Sequence, residues 1–223
     1  MESIKIIGLT GALQSGKDTT YQAIKEVAAE KGIDVRHLSF ADPMKMAMME
    51  LFGGEPKNYF GSDKDKNEPM EYWQSKLGDN FRTYRRAMQW FGTELCRLHI
   101  HPDFWVFVAE KRIRAVRDTI EAEISRVIGV ESRPILFVAA DVRINNEAQF
   151  VREYGGPVAL IQRADGGLSA DAEVSTHASE AGVSRTLLTH DFVCRLGEHR
   201  AIAVQLLEYL GLVPKQTKCS APT

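Results

Sequence analysis

Gly11-Ala12-Leu13-Gln14-Ser15-Gly16-Lys17-Asp18-Thr19 is the stretch that decides how this chain is read. It follows a short apolar run, residues 4–9, and opens into a helical pattern that starts near Asp18. Strand, glycine-bounded loop, lysine and helix, in that order, are what a phosphate-binding turn requires. Glycines let the backbone close around an anion. The N–H groups at a helix start point at the same place, and a lysine adds a mobile positive charge. A tight turn with an incidental lysine is the plainer alternative, and the flanking strand and helix weigh against it. Gly11, Ser15, Gly16, Lys17, Asp18 and Thr19 are therefore expected to form a nucleotide site.

One departure from the usual pattern is informative. Gly-Lys is normally followed by Ser or Thr, whose hydroxyl binds magnesium; here Asp18 takes that position and Thr19 comes next. A carboxylate there either holds a hydrated magnesium ion or caps the helix. Small-metabolite kinases tolerate such a shift better than GTPases and motor ATPases, which use the hydroxyl–metal contact to sense hydrolysis. The pattern tilts toward a kinase.

Composition sets the outer bounds. The 223 residues are 44% hydrophobic and 26% charged, which suits one globular domain with a full-sized core. A net charge of −2 gives no basic field for nucleic acid or an anionic membrane. Cys96, Cys194 and Cys219 form no metal-type cluster and read as reduced cysteines. No apolar run reaches membrane-spanning length and no leader pattern precedes the first strand, so a cytoplasmic location is expected.

Taken in order, the chain predicts a helix over 18–31 ending at Gly32, a strand over 34–40, and a helix begun by Asp42-Pro43. Met44, Met46, Met48 and Met49 in that helix are expected to fill core, and Lys45 lies among them. Residues 53–80 lose all periodicity and read as an excursion with one short helix. A long helix is expected over 103–128, with Ile113, Val116, Ile120, Ile124 and Val127 as its apolar stripe. Trp105, in its first turn, serves either as core or as the wall of a base pocket. Further strands are expected over 135–140, 158–162 and 190–193, and a last helix over 198–210. Residues 163–186, with Arg163, Glu180 and Arg185, have the small, polar character of a lid, and 214–223 that of a flexible tail.

Two further places carry chemistry. Over 82–98, Tyr84, Met88, Phe91, Leu95 and Leu98 fall on one stripe at helical pitch, and Arg82, Arg86, Gln89, Thr93 and Arg97 fall opposite. That second row contains no acid. Arginine forks suit phosphate, and a glutamine can read a base edge, so a binding face is preferred over a solvated one. Gly92 beside it would let a ligand or backbone approach closely. The strand over 135–140 ends at Asp141, where open parallel sheets hold their ligands. A carboxylate there suits hydrated magnesium or a sugar hydroxyl, and Arg143 follows two residues on. Asn145 and Asn146 read as helix caps and Glu147 as a favourable first-turn charge.

Together these residues resemble the deoxynucleoside monophosphate kinases of bacteriophages, which are close in fold to adenylate kinase. The likeness covers most of the chain. It rests on Ser15-Gly16-Lys17-Asp18-Thr19-Thr20, Phe40-Ala41-Asp42-Pro43-Met44-Lys45, Arg85-Arg86-Ala87-Met88-Gln89, Gly92-Thr93-Glu94, Trp105-Val106, Asp141-Val142-Arg143, Asn146-Glu147 and His177-Ala178-Ser179-Glu180-Ala181-Gly182. The resemblance implies an α/β P-loop fold of three layers, with a central parallel sheet flanked by helices. It implies one kinase domain over 1–213, with a helical acceptor-binding insertion over about 42–128 and a short lid over about 163–186. Gly16, Lys17, Asp18, Thr19 and Thr20 would hold ATP phosphates, with Gly11 and Ser15 completing the loop. Lys45, Arg86, Trp105, Asp141, Arg143 and Glu147 would surround a nucleoside monophosphate, joined by Gln89, Gly92 and Thr93 from the arginine helix.

The chemistry fits a monophosphate acceptor, whose attacking oxygen is already anionic near neutral pH. No general base is needed; cations must bring two polyanions into line. Lys17, Asp18 and Arg143 are the expected catalytic residues, and Mg2+ the expected cofactor, held through water by Asp18, Thr19 and Asp141. The expected partners are ATP and a (deoxy)nucleoside monophosphate, with no nucleic acid and no membrane; the sequence leaves a homodimer open. Two rivals stand beside this reading. A kinase of nucleosides or other hydroxyl acceptors would need a carboxylate base, for which Asp42 is available. A P-loop ATPase that is not a kinase would ordinarily carry Gly-Lys-Ser/Thr.

Overall fold

A computed structural model of the chain describes residues 4–124, 134–164, 182–195 and 197–215. They divide into two compact units, one with all the described strands and one built of helices from Ser39 onward.

The first unit is a five-stranded sheet. β1 (Lys5–Thr10), β2 (Asp34–Leu38), β3 (Ile135–Ala139), β4 (Val158–Arg163) and β5 (His190–Cys194) lie in the order β2-β3-β1-β4-β5, all parallel. In β1, Ile6 to Thr10 are all buried, and so is every residue of β3. Continuous apolar runs are what a parallel strand covered on both faces demands. β1 pairs Ile7 with Val138 on one side and Leu9 with Ala159 on the other.

Three helices cover the sheet: α1 (Lys17–Ala29), α8 (Asn145–Glu153) and α9 (His199–Tyr209). Ile7, Leu9, Val138 and Ile161 pack with Ile24 and Val27 of α1 and with Ile202 and Leu206 of α9. Each of the fully buried aliphatic side chains contributes about 1.5–3 kcal/mol. α8 lies on the opposite face: a Cβ on Gly8 would stand 3.1 Å from Val142 and 3.2 Å from Val151. The expected three-layer α/β fold with a central parallel sheet is therefore observed. The connections from β1 and from β3 leave for opposite faces. α/β folds bind ligands beyond the carboxyl ends of strands that diverge in this way.

The sheet contains a very close backbone crossing. A Cβ on Gly156, just before β4, would lie 2.0 Å from the carbonyl oxygen of Ile6. Gly156→Ala should therefore force β4 away from β1 and cost about 3 kcal/mol or more. Urea unfolding checks this, and an unchanged midpoint would mean the crossing can relax.

The second unit consists of α2 (Asp42–Phe52), α3 (Pro56–Phe60), α4 (Asp63–Lys66), α5 (Glu71–Leu77), α6 (Tyr84–Gln89) and α7 (Phe104–Ile124). Met44, Met48, Tyr59, Met70, Phe81, Met88, Trp105 and Ile113 are buried in it. The methionines of α2 divide: Met44 and Met48, one turn apart, are core, while Met46 is 59% exposed. Residues 53–80 hold three short helices where one was expected. They are fixed by caps and tertiary hydrogen bonds, which periodicity does not register. Ser62 and Asp65 form a capping box at α4, and Pro56 opens α3. The Tyr59 hydroxyl donates to Gly53 O at 2.7 Å, and Trp73 Nε1 to Phe52 O at 2.7 Å.

The second difference follows α6. From Trp90 to Ile100 the helix continues in π form, closed by His101 N–H donating to the Cys96 carbonyl, five residues back, at 2.9 Å. A π-helix turns through fewer degrees per residue, so a stripe drawn at α-helical pitch drifts off its face. Leu98, expected in the core, is 71% exposed, and Thr93, expected on the polar row, is buried. For α7, Ile113 is fully buried and Val116 and Ile120 are half-buried; the side chain of Ile124 and all of Val127 lie outside the described residues. The lid expected over 163–186 lies mostly outside them too, Glu180 included, as does the tail from 216.

Candidate active site

β1 ends at Thr10 and α1 begins at Lys17, so the glycine-bounded stretch is the turn between them. Gly11 has φ of 144°, and a Cβ there would meet the Ile161 carbonyl at 2.3 Å. Gly16 is the N-cap of α1 with φ of 99°, a left-handed conformation that glycine adopts without strain. No side chain caps this helix, so its first N–H groups remain directed into the turn. Asp18 is exposed in the first turn and does not cap it.

Lys17 is folded back across the loop. Its Nζ donates to Gly11 O at 2.9 Å, Ala12 O at 2.6 Å and Ser15 Oγ at 3.4 Å. Burial holds this ammonium below the usual lysine range; Asp18 and Asp141 oppose that shift and Arg143 adds to it. Lys17 therefore feels charges from its own helix and from the end of β3: Asp18, Asp141 and Arg143 all act on it.

The β3 end is braced rather than loose. Val142 N–H donates to Leu9 O at 3.1 Å, tying the segment to β1. Glu147 is 2% exposed, and its Oε2 accepts the Arg143 backbone N–H at 2.8 Å. The carboxylate thus shapes the turn that carries Asp141 and Arg143, a larger role than a first-turn charge. Asp141 is half-buried with Oδ1 shielded from solvent, and Arg143 is exposed. The asparagines do not cap α8: Asn146 Oδ1 accepts from Glu147 N–H, and Asn145 Oδ1 from Ser184 N–H. Arg163 ends β4 exposed, and Arg185 is 85% exposed with Asp191 4.0 Å away.

In the helical unit, Arg86 carries an acid that the sequence row did not show. Its guanidinium donates to both carboxylate oxygens of Glu94 and, at 2.6 Å, to Asn80 Oδ1. Lys45 Nζ is 3.2 Å from Asp42 and 4.8 Å from the Phe60 ring centre. Gln89 is half-buried. Gly92 approaches a neighbouring side chain and not an open space, since a Cβ there would meet Met44 Sδ at 2.5 Å. Trp105 is 6% exposed and its Nε1 donates to Gly92 O at 2.9 Å, so this indole is core. Thr93 is buried beside them because of the π turn.

Thr20 also points inward. It is fully buried, and its hydroxyl meets Gly16 O and His199. Sequence reading missed three partners: His199, Asn80 and the ion-pairing role of Glu94. His199 and Asn80 sit in no motif, and nothing in Gly92-Thr93-Glu94 pairs its acid with Arg86; only the fold brings these groups together.

The donor set for a metal is oxygen throughout. Asp18 and Thr19 are exposed in the first turn and Asp141 is half-buried at the strand end. That set suits a hard, hydrated ion such as Mg2+. Among the described residues no three His, Cys, Asp or Glu side chains are grouped for a metal, and an ion bound through waters and phosphates needs no such group.

A three-layer parallel α/β fold, with a lysine-crossed glycine turn feeding a helix at its central strand, defines a P-loop protein of the nucleotide-kinase type. No family profile matches the chain. It is 30% identical over 194 residues to a protein of Acanthamoeba polyphaga mimivirus named "Putative deoxynucleotide monophosphate kinase", an alignment covering 84% of this chain and 86% of that one. The chain belongs to the deoxynucleotide monophosphate kinase family. No helix among the described residues is long and apolar enough to cross a membrane.

Proposed function

We propose that this protein moves the γ-phosphate of ATP to a deoxynucleoside 5′-monophosphate, as the phage enzymes it resembles do. The observation that carries this reading is Lys17 folded over the Gly11–Ser15 turn. Its ammonium is satisfied by two carbonyls and a hydroxyl where phosphate oxygens would take their place. The first N–H groups of α1 and the Lys17 charge hold the ATP phosphates. Arg86 holds the acceptor phosphate, and Arg143 adds positive charge near Lys17. Asp18, Thr19 and Asp141 would hold Mg2+, which neutralises phosphate charge when bound. The acceptor oxygen is already anionic, so no residue need remove a proton.

Family membership weighs against the two rivals. Asp42, the base that a hydroxyl kinase would need, is also committed to an ion pair with Lys45. A screen of ATP against each deoxy- and ribonucleoside monophosphate, following ADP release, tests the proposal. Acceptor-dependent release with a deoxynucleotide is expected; hydrolysis indifferent to acceptor, or transfer to free nucleosides, would sink it.

Asp141→Asn removes the strand-end charge and keeps the shape. Turnover should fall roughly ten-fold, the loss of about 1.4 kcal/mol. The melting midpoint should move by less than about 3 °C. A large fall in the midpoint would instead assign Asp141 to the fold.

A further inference from the structure

The phosphate turn is held from behind by a residue far along the chain. His199 is the first residue of α9 and is 8% exposed. Its ring lies against Gly16, where a Cβ would stand 2.7 Å from Cε1. Its Nδ1 is 2.9 Å from Thr20 Oγ1. The Thr20 hydroxyl in turn donates to Gly16 O at 3.0 Å, and the same carbonyl accepts Thr20 N–H at 2.9 Å. A hydroxyl has one proton. With that proton on Gly16 O, the imidazole must carry hydrogen on Nδ1 and donate it to Thr20 Oγ1. The three residues form a directed chain from His199 through Thr20 to Gly16.

We propose that His199 is a positioning residue for nucleotide binding, acting through Thr20 on the Gly16–Lys17 peptide. A peptide is planar and trans, so its C=O and N–H point in opposite directions. Fixing the Gly16 carbonyl toward Thr20 fixes the Lys17 N–H toward the turn, where an anion is received. The restraint matters at this position because a glycine at positive φ lets its peptide rotate easily. The imidazole touches no phosphate; it keeps the donor aimed.

This inference rests on the ATP-binding reading above, and one set of titrations separates the two. MgATP binding is measured by calorimetry for wild type, His199→Ala, His199→Asn and His199→Gln, with the acceptor's Michaelis constant measured beside it. Asparagine places an amide nitrogen near Nδ1, and glutamine places it beyond. His199→Ala and His199→Gln should weaken MgATP by about five- to thirty-fold, within the range for a buried polar group left without its partner. His199→Asn should stay within about three-fold of wild type, and the acceptor constant should move less than about two-fold in all three. MgATP affinity unchanged in His199→Ala, or equally reduced in the asparagine and glutamine variants, overturns the proposal. So does a parallel loss for both substrates. If the alanine variant does not fold, the asparagine–glutamine comparison decides alone. Wild type that fails to bind MgATP would overturn the ATP reading itself.

Discussion

Lys17→Ala is expected to lower phosphoryl transfer by at least about a hundred- to a thousand-fold, the effect of removing one preorganised donor to transition-state charge. The protein should remain folded, for a reason the structure supplies. Burial disfavours the Lys17 ammonium, so its charge is a cost to the native state and not a support. Its three hydrogen bonds stay within one turn and its lysine, and no distant element is tied by them. Thermal unfolding should therefore be unchanged or slightly later. Turnover near that of wild type, in a folded variant, would remove the glycine turn from the mechanism.

Arg86→Ala should raise the acceptor's Michaelis constant by roughly ten- to a hundred-fold, as expected for a charge-assisted hydrogen bond of about 1.5–3 kcal/mol. The constant for ATP should move much less. The guanidinium is already oriented by Glu94 and Asn80, which leaves Nε–H and one Nη1–H for a phosphate oxygen. Removing the arginine also leaves the half-buried Glu94 without this partner, and Glu94→Gln serves as the control for that loss. Gln89→Ala should alter the ranking of bases and not phosphate affinity, because an amide reads edges. Steady-state kinetics with each substrate varied in turn decides the matter. An equal rise for ATP and acceptor would take the acceptor role away from this helix.

The sheet and its glycine turn were legible because their signals are local. An apolar run, two glycines, a lysine and a helical period are contiguous between residues 4 and 29. Asp141 was legible for a related reason: a charge that closes a five-residue buried strand marks a sheet's carboxyl edge. The helical unit was less so. Helices as short as Asp63–Lys66 hold too few residues to show a period, and they exist through caps and neighbours. The row of Arg82, Arg86, Gln89, Thr93 and Arg97 assumed one pitch throughout, and the pitch changes at Trp90. That change explains buried Thr93, exposed Leu98 and the acid found beneath Arg86. Thr20 and His199 could not be paired from sequence, since no pattern links positions 179 apart.

The strand order has a consequence for how the protein is made. β1 emerges from the ribosome before any strand that will pair with it, since its partners begin at Ile135 and Val158. Lys5 must wait for Leu136, and Leu9 for Ala159. Until then β1 is an apolar segment without neighbours, a species open to aggregation or to capture by chaperones. Closing loops of that size costs little more than closing shorter ones, but it delays folding. The glycine turn at the end of β1 therefore acquires its shape only late in synthesis. A nascent chain stalled before β4 should hold the whole phosphate motif and yet bind no nucleotide.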